Sequence, residues 1–294
     1  MNNLKKIHIL VIAGGWSDER NVSLSSGRNV YQTLKSRKLK VSFFDLKKNN
    51  IDQIIKYKPD IIFNALHGEF GEDGGLSCLA SKYSIPITHS NDLTSALCFN
   101  KRLLKHFLKK KLNVLSPNEG TLNSSLPVIA KPNWGGSSNG ISFIKNKKFL
   151  KKTLNQNNIL TEEVIKGREL TVTVLRDGNK IKALGITEIS YEGNIYNYEA
   201  KYTKGKSKHF FPARIPIKDY KAITKISEKI FKTCNCQSIA RLDFIYSDDN
   251  KKFYFLEINT HPGLTKISLA PEQAHFNKIT YFNLIKKILI SSYK

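Results

Sequence analysis

Residues 241–263, RLDFIYSDDNKKFYFLEINTHPG, constrain the fold more than any other stretch of the chain. Residues 241–246 and 252–258 are aromatic and branched-apolar runs with charges at alternate positions, and the SDDN between them is turn chemistry, which predicts a β-hairpin. A turn centred near Asn250 sets Asp243 opposite Glu257 and Arg241 opposite Asn259, and the two-residue period puts all four on one face. Carboxylates facing each other across strands destabilise a bare sheet, whereas two carboxylates and an amide oxygen suit a hard cation that prefers oxygen ligands. The pattern asks for Mg²⁺, and because Mg²⁺ usually bridges to substrate phosphates, the hairpin reads as the floor of a nucleoside-triphosphate site. A solvated hairpin face with scattered charge fits the same residues.

At 294 residues and 40% hydrophobic side chains, the chain can bury an ample core distributed over two or three domains. No window approaches eighteen consecutive apolar residues, and the opening MNNLKKIHILVIAGG runs from an apolar stretch into glycines and a helix-like pattern, unlike a cleaved signal. A cytoplasmic protein without membrane attachment is expected. Cys78, Cys98, Cys234 and Cys236 lack C-x-x-C spacing and a matched His pair, so reduced, structural thiols are expected. A net charge of +24 ordinarily suggests nucleic acid or an anionic surface. Here the positives are mostly Lys, dispersed in short runs without a nucleic-acid motif, and read as a solvated basic face that attracts anions such as ATP in a salt-sensitive way.

Lys6–Ala13 is an apolar strand ending in Gly14-Gly15, and VSLSSGRNVYQTLKSRK opens a helix with Ser23 as N-cap. Further short strands at Val41–Leu46, Ile61–Leu66 and Ile85–Thr88 make residues 1–90 a small open α/β sheet. Ligands of such sheets bind beyond the carboxyl ends of the strands, where Glu19 and His67 fall. Gly14-Gly15 lacks the full G-x-G-x-x-G, which argues against a dinucleotide fold. Glu19 suits a substrate ammonium, although this stretch alone favours an acid at a helix N-terminus that satisfies the dipole. His67 and Glu72 lie in the glycine-rich ALHGEFGEDGG, where a lone His is most often structural.

Residues 92–112 read as one amphipathic, Lys-rich helix containing Lys101, with Pro117 closing the linker. In VIAKPNWGGSSNGISFI, Lys131 ends a strand and residues 135–140 form a loop whose N–H groups and hydroxyls can close over phosphates, although a hairpin tip reads the same way. LTEEVIKGRELTVTVL reads strand, Gly167 turn, strand, with Glu162, Glu163 and Glu169 spaced to hold an adenosine amino group or ribose. Residues 191–213 lack periodicity and read as a lid carrying Tyr198, Lys201 and Tyr202. A helix at 217–235, the hairpin, Gly263 and Ser268 just beyond it, and a closing helix at about 274–291 complete the chain.

From GGWSDERNVSLSSG through ALHGEFGEDG, AKPNWGGSSNG, YNYEAKY and ARLDF to LEINTHPGLTKISLAPEQA, the chain resembles the D-alanine:D-alanine ligase family of the ATP-grasp superfamily. The resemblance covers nearly the whole chain. It implies an α/β (α+β) ATP-grasp fold, with an N-terminal open-sheet domain at 1–90, a central domain at 91–166 and a C-terminal, metal-binding domain at 167–294, the last two sandwiching ATP. The implied reaction joins two D-alanine molecules through an acyl phosphate, for peptidoglycan precursor synthesis. By this resemblance Asp243, Glu257 and Asn259 hold two Mg²⁺ (or Mn²⁺). Lys101 and Lys131 contact the α- and β-phosphates beneath Gly136, Ser137 and Ser138 of the 135–140 loop. Glu162 and Glu169 contact adenosine, Glu163 and Val164 lie near the adenine edge, and Lys201 approaches the γ-phosphate.

The resemblance further implies that Glu19 pairs with the first D-alanine's ammonium and His67 sits near its carboxylate. Arg241 and the Gly263 N–H form an oxyanion site, and Ser268 holds the second carboxylate. Ser137 and Tyr202 tie the lid to Glu19. A homodimer with no nucleic-acid or membrane partner is expected. Asn21 stands where the family more often has Glu, and the chain is a little short in its connecting segments. YEAKY is similar to the D-alanine type of lid rather than those of ligases using D-lactate or D-serine. The rival readings are an ATP-grasp carboxylate–amine ligase with another acceptor, a basic nucleic-acid-binding protein, and a degenerate ATP-binding regulator.

Overall fold

The computed structural model describes residues 4–136, 140–191 and 207–293. The first unit is built on β1 (Ile9–Gly14), whose six residues are all buried, as a parallel strand covered on both faces requires. Helix α1 (Arg20–Ser36) carries the chain over to β2 (Val41–Leu46), and β3 (Ile61–Asn64) completes a parallel sheet in the order β2-β1-β3. Gly27 lets α1 settle onto this sheet, since a Cβ there would stand 2.4 Å from the Ala13 Cβ. Two expectations change here. Glu19, not Ser23, is the cap residue of α1; Ser23 is buried one turn in, where its hydroxyl accepts from Gly14 N–H at 2.8 Å and donates to Ala65 C=O at 2.8 Å. Ile85–Thr88 forms no strand of its own but a single parallel bridge, Ile62 to Ile87.

After α2 (Gly75–Lys82), the helix expected over 92–112 is broken into α3 (Asp92–Phe99) and α4 (Lys101–Leu112). Asn100 makes the break: its backbone bridges to Trp134 and its side chain caps α4 by accepting from Leu103 N–H. Strands β4 (Val128–Pro132) and β5 (Ser142–Ile144), helix α5 (Lys147–Leu154) and β6 (Ile159–Glu163) form a unit whose antiparallel sheet has the order β5-β4-β6.

Then come β7 (Gly167–Asp177), β8 (Lys180–Tyr191), β9 (Ser207–Phe210), α6 (Ile217–Thr233), β10 (Ile239–Ser247) and β11 (Phe253–Asn259). Their strands make a second antiparallel sheet ordered β11-β10-β7-β8-β9. Gly167 is therefore not the turn of a hairpin. It opens β7 in the larger sheet while β6 stays in the smaller one, and a Cβ at Gly167 would lie 2.2 Å from the Tyr246 carbonyl oxygen. The closing helix is likewise two helices, α7 (Leu269–Phe276) and α8 (Tyr281–Ser292), the second capped by the Thr280 hydroxyl.

The cores run across the chain order. Ile9 and Val11 of β1 and Leu34 of α1 share one cluster with Leu284 and Ile288 of α8 and Ile239 of β10, so the last helix packs under the first strand. A second cluster joins Leu104 and Leu108 of α4 and Ile230 of α6 to Val172, Leu242 and Phe255 of the larger sheet. No helix among the described residues is long and apolar enough to cross a membrane. Ser137 and Ser138, and the lid residues Tyr198, Lys201 and Tyr202, lie outside the described residues.

Candidate active site

The hairpin has the expected register at its functional end: Asp243 pairs with Glu257 and Arg241 with Asn259. A β-bulge makes it so. Nearer the turn Tyr246 pairs with Phe253 and Phe244 with Phe255, and Leu256 is the extra residue that brings Glu257 opposite Asp243. The two carboxylates tolerate each other because each faces a cation. Arg241 donates to Asp243 at 2.8 Å through Nη2, Lys101 Nζ stands 3.3 Å from Glu257 Oε2, and Thr171 adds a hydroxyl donor to Asp243 at 2.6 Å. Asn259 Oδ1 accepts from His261 N–H at 2.7 Å, and an amide oxygen has a second lone pair. Two carboxylates and an amide oxygen on one face are a set of hard oxygen donors that fits Mg²⁺ or Mn²⁺. No cluster of three or more His, Cys, Asp or Glu side chains competes with it among the described residues.

A cleft of about 990 Å³ opens between the two antiparallel sheets and is lined by Lys101, Lys131, Gly136, Glu162, Glu163, Val164, Glu169, Asp243 and Glu257. Its back wall carries a buried charge cluster. Glu162 receives Lys131 Nζ at 2.7 Å on one oxygen and Lys105 Nζ on the other. Burial pushes the Glu162 pKa up, but the two lysines outweigh it and hold the carboxyl below its ordinary value. For Lys131 burial works downward, yet the Glu162 and Glu257 charges leave its pKa raised. Lys105 goes the other way: burial, aided by the like charge of Lys131, pushes it down to about 7 despite Glu162. One carboxylate sustains one of two buried ammonium groups well, and the less compensated one yields its proton more easily. The Glu163 carboxylate, also on the cleft wall, accepts from the Asn118 backbone N–H and side-chain amide at 2.9 Å each.

A small polar pocket adjoins the cleft, lined by Glu19, His67, Glu72, Arg241, Asn259 and Gly263, and sharing Lys101, Gly135, Gly136 and Glu257 with it. Lys101, at the start of α4, anchors that common wall by donating to the Gly135 carbonyl. Glu19 reaches the pocket from the first unit and the glycine loop from the second; they approach so closely that a Cβ at Gly136 would stand 3.1 Å from Glu19 Oε2. His67 Nδ1 lies 3.3 Å from Glu72 Oε1. Burial lowers the imidazole's pKa, but the Glu72 hydrogen bond and the Glu72 and Glu19 charges prevail and raise it. Ser268 stands at the N-terminus of α7, its hydroxyl 2.7 Å from Thr265 Oγ1 and close behind Gly263.

Sequence reasoning missed Lys105, whose signal was its i+4 spacing from Lys101 on one helix face. It also missed Glu188, a buried acid on β8 that lines the cleft and pairs with Arg214 at 2.6 Å and Arg168 at 3.7 Å. Nothing in the local text of β8 marks it.

A sequence model of the D-ala D-ala ligase C-terminus matches residues 103–290. The D-alanine–D-alanine ligase of Rickettsia canadensis is 42% identical, covering 97% of this chain and 83% of its own length. That of Rickettsia bellii is 40% identical, covering 97% and 91%. Among solved structures, the D-alanine–D-alanine ligase of Bacillus anthracis complexed with ATP superposes with a TM-score of 0.80 at 28% identity, covering 97% of this chain and 96% of that one. With a family model matched over more than half of the sequence and relatives of this identity spanning nearly all of it, the chain belongs to the D-alanine–D-alanine ligase family and has the ATP-grasp fold.

Proposed function

We propose that the chain joins two D-alanine molecules into D-alanyl-D-alanine in the cytoplasm, with ATP converted to ADP and phosphate, as a step of peptidoglycan precursor synthesis. The observation that carries this reading is the wall formed by Lys101 and Glu257, shared by a cleft of nucleotide size and a small polar pocket. A phosphate lying along that wall from the cleft side would meet a carboxylate held in the pocket. Lys101 and Lys131 would pair with the α- and β-phosphates, and Glu162, Glu163, Val164 and Glu169 would line the adenosine end. Asp243, Glu257 and Asn259 would hold two Mg²⁺ (or Mn²⁺), which when bound supply the positive charge that phosphoryl transfer needs.

In the pocket, Glu19 would take the first D-alanine's ammonium, and His67, its proton held by Glu72, would face its carboxylate. That carboxylate oxygen attacks the γ-phosphorus, the bond to ADP breaks, and an acyl phosphate forms. The second D-alanine, its carboxylate on Ser268, then attacks the acyl carbon through its unprotonated amine. Arg241 and the Gly263 N–H would hold the oxyanion of the tetrahedral intermediate until phosphate leaves, a type of donor whose loss costs about 10²–10³ in rate. Ser137, Ser138, Lys201 and Tyr202 would close the site and keep water from the acyl phosphate. A homodimer is the expected assembly.

The test is phosphate release from ATP and Mg²⁺ with D-alanine, L-alanine, D-lactate and D-serine, with products identified by mass. D-Alanyl-D-alanine formed from D-alanine alone, and lost in Glu257→Gln, is the expected result. A mixed product with D-lactate or D-serine in preference to the dipeptide would reassign the second substrate.

A further inference from the structure

The wall behind the cleft contains a lysine that the proposed chemistry does not use. Lys105 lies one helical turn beyond Lys101 on α4 and is buried. It does not line the nucleotide cleft; it lines a separate groove on the opposite side, between α4 and the segment 113–119. Glu162 lines both. One carboxylate thus separates the two spaces, with Lys131 on its cleft-facing oxygen at 2.7 Å and Lys105 on the other.

We propose that Lys105 is a positioning residue for the nucleotide: by occupying one oxygen of Glu162 it leaves a single oxygen for Lys131 and keeps the Lys131 ammonium presented to the ATP phosphates. The inference rests on the ATP reading above. Its physical content is competition. A carboxylate with two free oxygens draws an ammonium into a symmetric, closer pairing, whereas one whose second oxygen is taken holds it from one side only. Lys105 also contributes charge: with both lysines protonated, the cluster with Glu162 carries a net +1 behind the phosphates.

The charges that act on Lys105 are Glu162 on β6, Lys131 on β4 and Glu257 on β11; Arg102, His106 and Lys109 of its own helix and Glu119 line the same groove, and Lys101 lies one turn before it. Arg102 is engaged by Glu119 at 2.7 Å. The balance around Lys105 lets it exchange its proton near neutrality, at about pH 7. The sign follows: below that pH the cluster attracts phosphate, and above it the attraction weakens while Lys131 stays charged.

The experiment compares wild type, Lys105→Met and Lys105→Arg between pH 6 and 9, reading KM for ATP in turnover and the dissociation constant of MgATP by calorimetry without D-alanine. Excess Mg²⁺ suppresses the nucleotide's own protonation. Met is apolar and of similar length, and Lys131 still balances Glu162, so Lys105→Met should fold, which a thermal melt verifies. We expect wild-type affinity for MgATP to fall several-fold as pH rises through neutrality. In Lys105→Met it should be weak throughout, about tenfold below wild type at pH 6, corresponding to about 1.4 kcal/mol. In Lys105→Arg, which stays protonated, it should be tight throughout, and in all three the change should fall on KM rather than on kcat. A pH profile shared by wild type and Lys105→Met, or a loss of kcat with MgATP affinity intact, overturns the proposal. Because binding is read without D-alanine, a protein that binds MgATP but forms no dipeptide refutes the substrate reading and leaves the Lys105 comparison decisive. Absence of MgATP binding in wild type overturns both.

Discussion

Glu162 serves two lysines at once, and its removal should be costly in proportion. In Glu162→Gln the buried ammonium groups of Lys105 and Lys131 would face a neutral amide and each other, and an uncompensated buried charge typically costs about 3–5 kcal/mol. Urea unfolding should show that loss, while Glu163→Gln, whose carboxyl only ties down Asn118, should lose about 1 kcal/mol. His67 gives a pH-dependent counterpart. Its pKa is raised in the folded protein, with Glu72 as the main raising influence. The pair's stabilisation is therefore fully present below the unfolded pKa of about 6.5 and is lost as pH rises through the raised folded value. The stability difference between wild type and Glu72→Gln should shrink from pH 6 to pH 9, and the His67 ring should titrate lower in the variant by NMR. An unchanged His67 titration would mean that Glu72 does not set its charge. At this scale the hairpin residues were legible because a two-residue period and turn chemistry are local properties. The ion pairs of Lys105 and Glu188 were not, although the i+4 spacing put Lys105 on the Lys101 face, because a buried ion pair is defined by partners 57 and 26 positions away.

Helix α4 shows how an element boundary sets chemistry. A single helix over 92–112 would have placed Lys101 mid-helix, with no bend to aim it. Asn100 instead stops α3, accepts from Leu103 N–H at 3.0 Å to cap α4, and takes a hydrogen bond from the Asn133 side chain at 3.0 Å, which fixes the new helix against the strand end that carries Lys131. Asn100→Ala removes the cap and that tie together, so it should cost about 1–2 kcal/mol in stability. It should also raise KM for ATP, because Lys101 stands on the first residue of the loosened turn. Stability lost with KM unchanged would show that Lys101 is held by Gly135 and Glu257 alone. The cap was readable in principle, since Asn before a helical run is an N-cap signal, but the uninterrupted apolar period of residues 92–112 outweighed it. The bulge at Leu256 has no sequence signal. The register came out right because counting from a turn at Asn250 silently includes the extra residue.

The two ends of the chain make one core, and this decides how the whole molecule should unfold. Leu284, Ile285, Ile288 and Leu289 of α8 are fully buried and lie in the same cluster as Ile9, Val11 and Leu34. Sequence periodicity identified the apolar face of α8 but not its partner, because which surfaces meet across more than 250 residues is a property of topology rather than of local pattern. The consequence is that residues 1–90 do not close their hydrophobic surface by themselves. Ile288→Ala should cost about 2–5 kcal/mol, as truncation of a buried branched side chain does. The two tryptophans report on different places: Trp16 packs on Phe70 in the first unit, with ring centres 5.0 Å apart, and Trp134 lies near Phe99 beside the glycine loop. With each isolated by replacing the other with Phe, urea unfolding followed by fluorescence should move both midpoints down together in Ile288→Ala. A shift confined to the Trp16 signal would mean that the first unit and α8 unfold as a separate cooperative block. In that case the Glu19 and His67 side of the pocket would open while the nucleotide cleft remained intact.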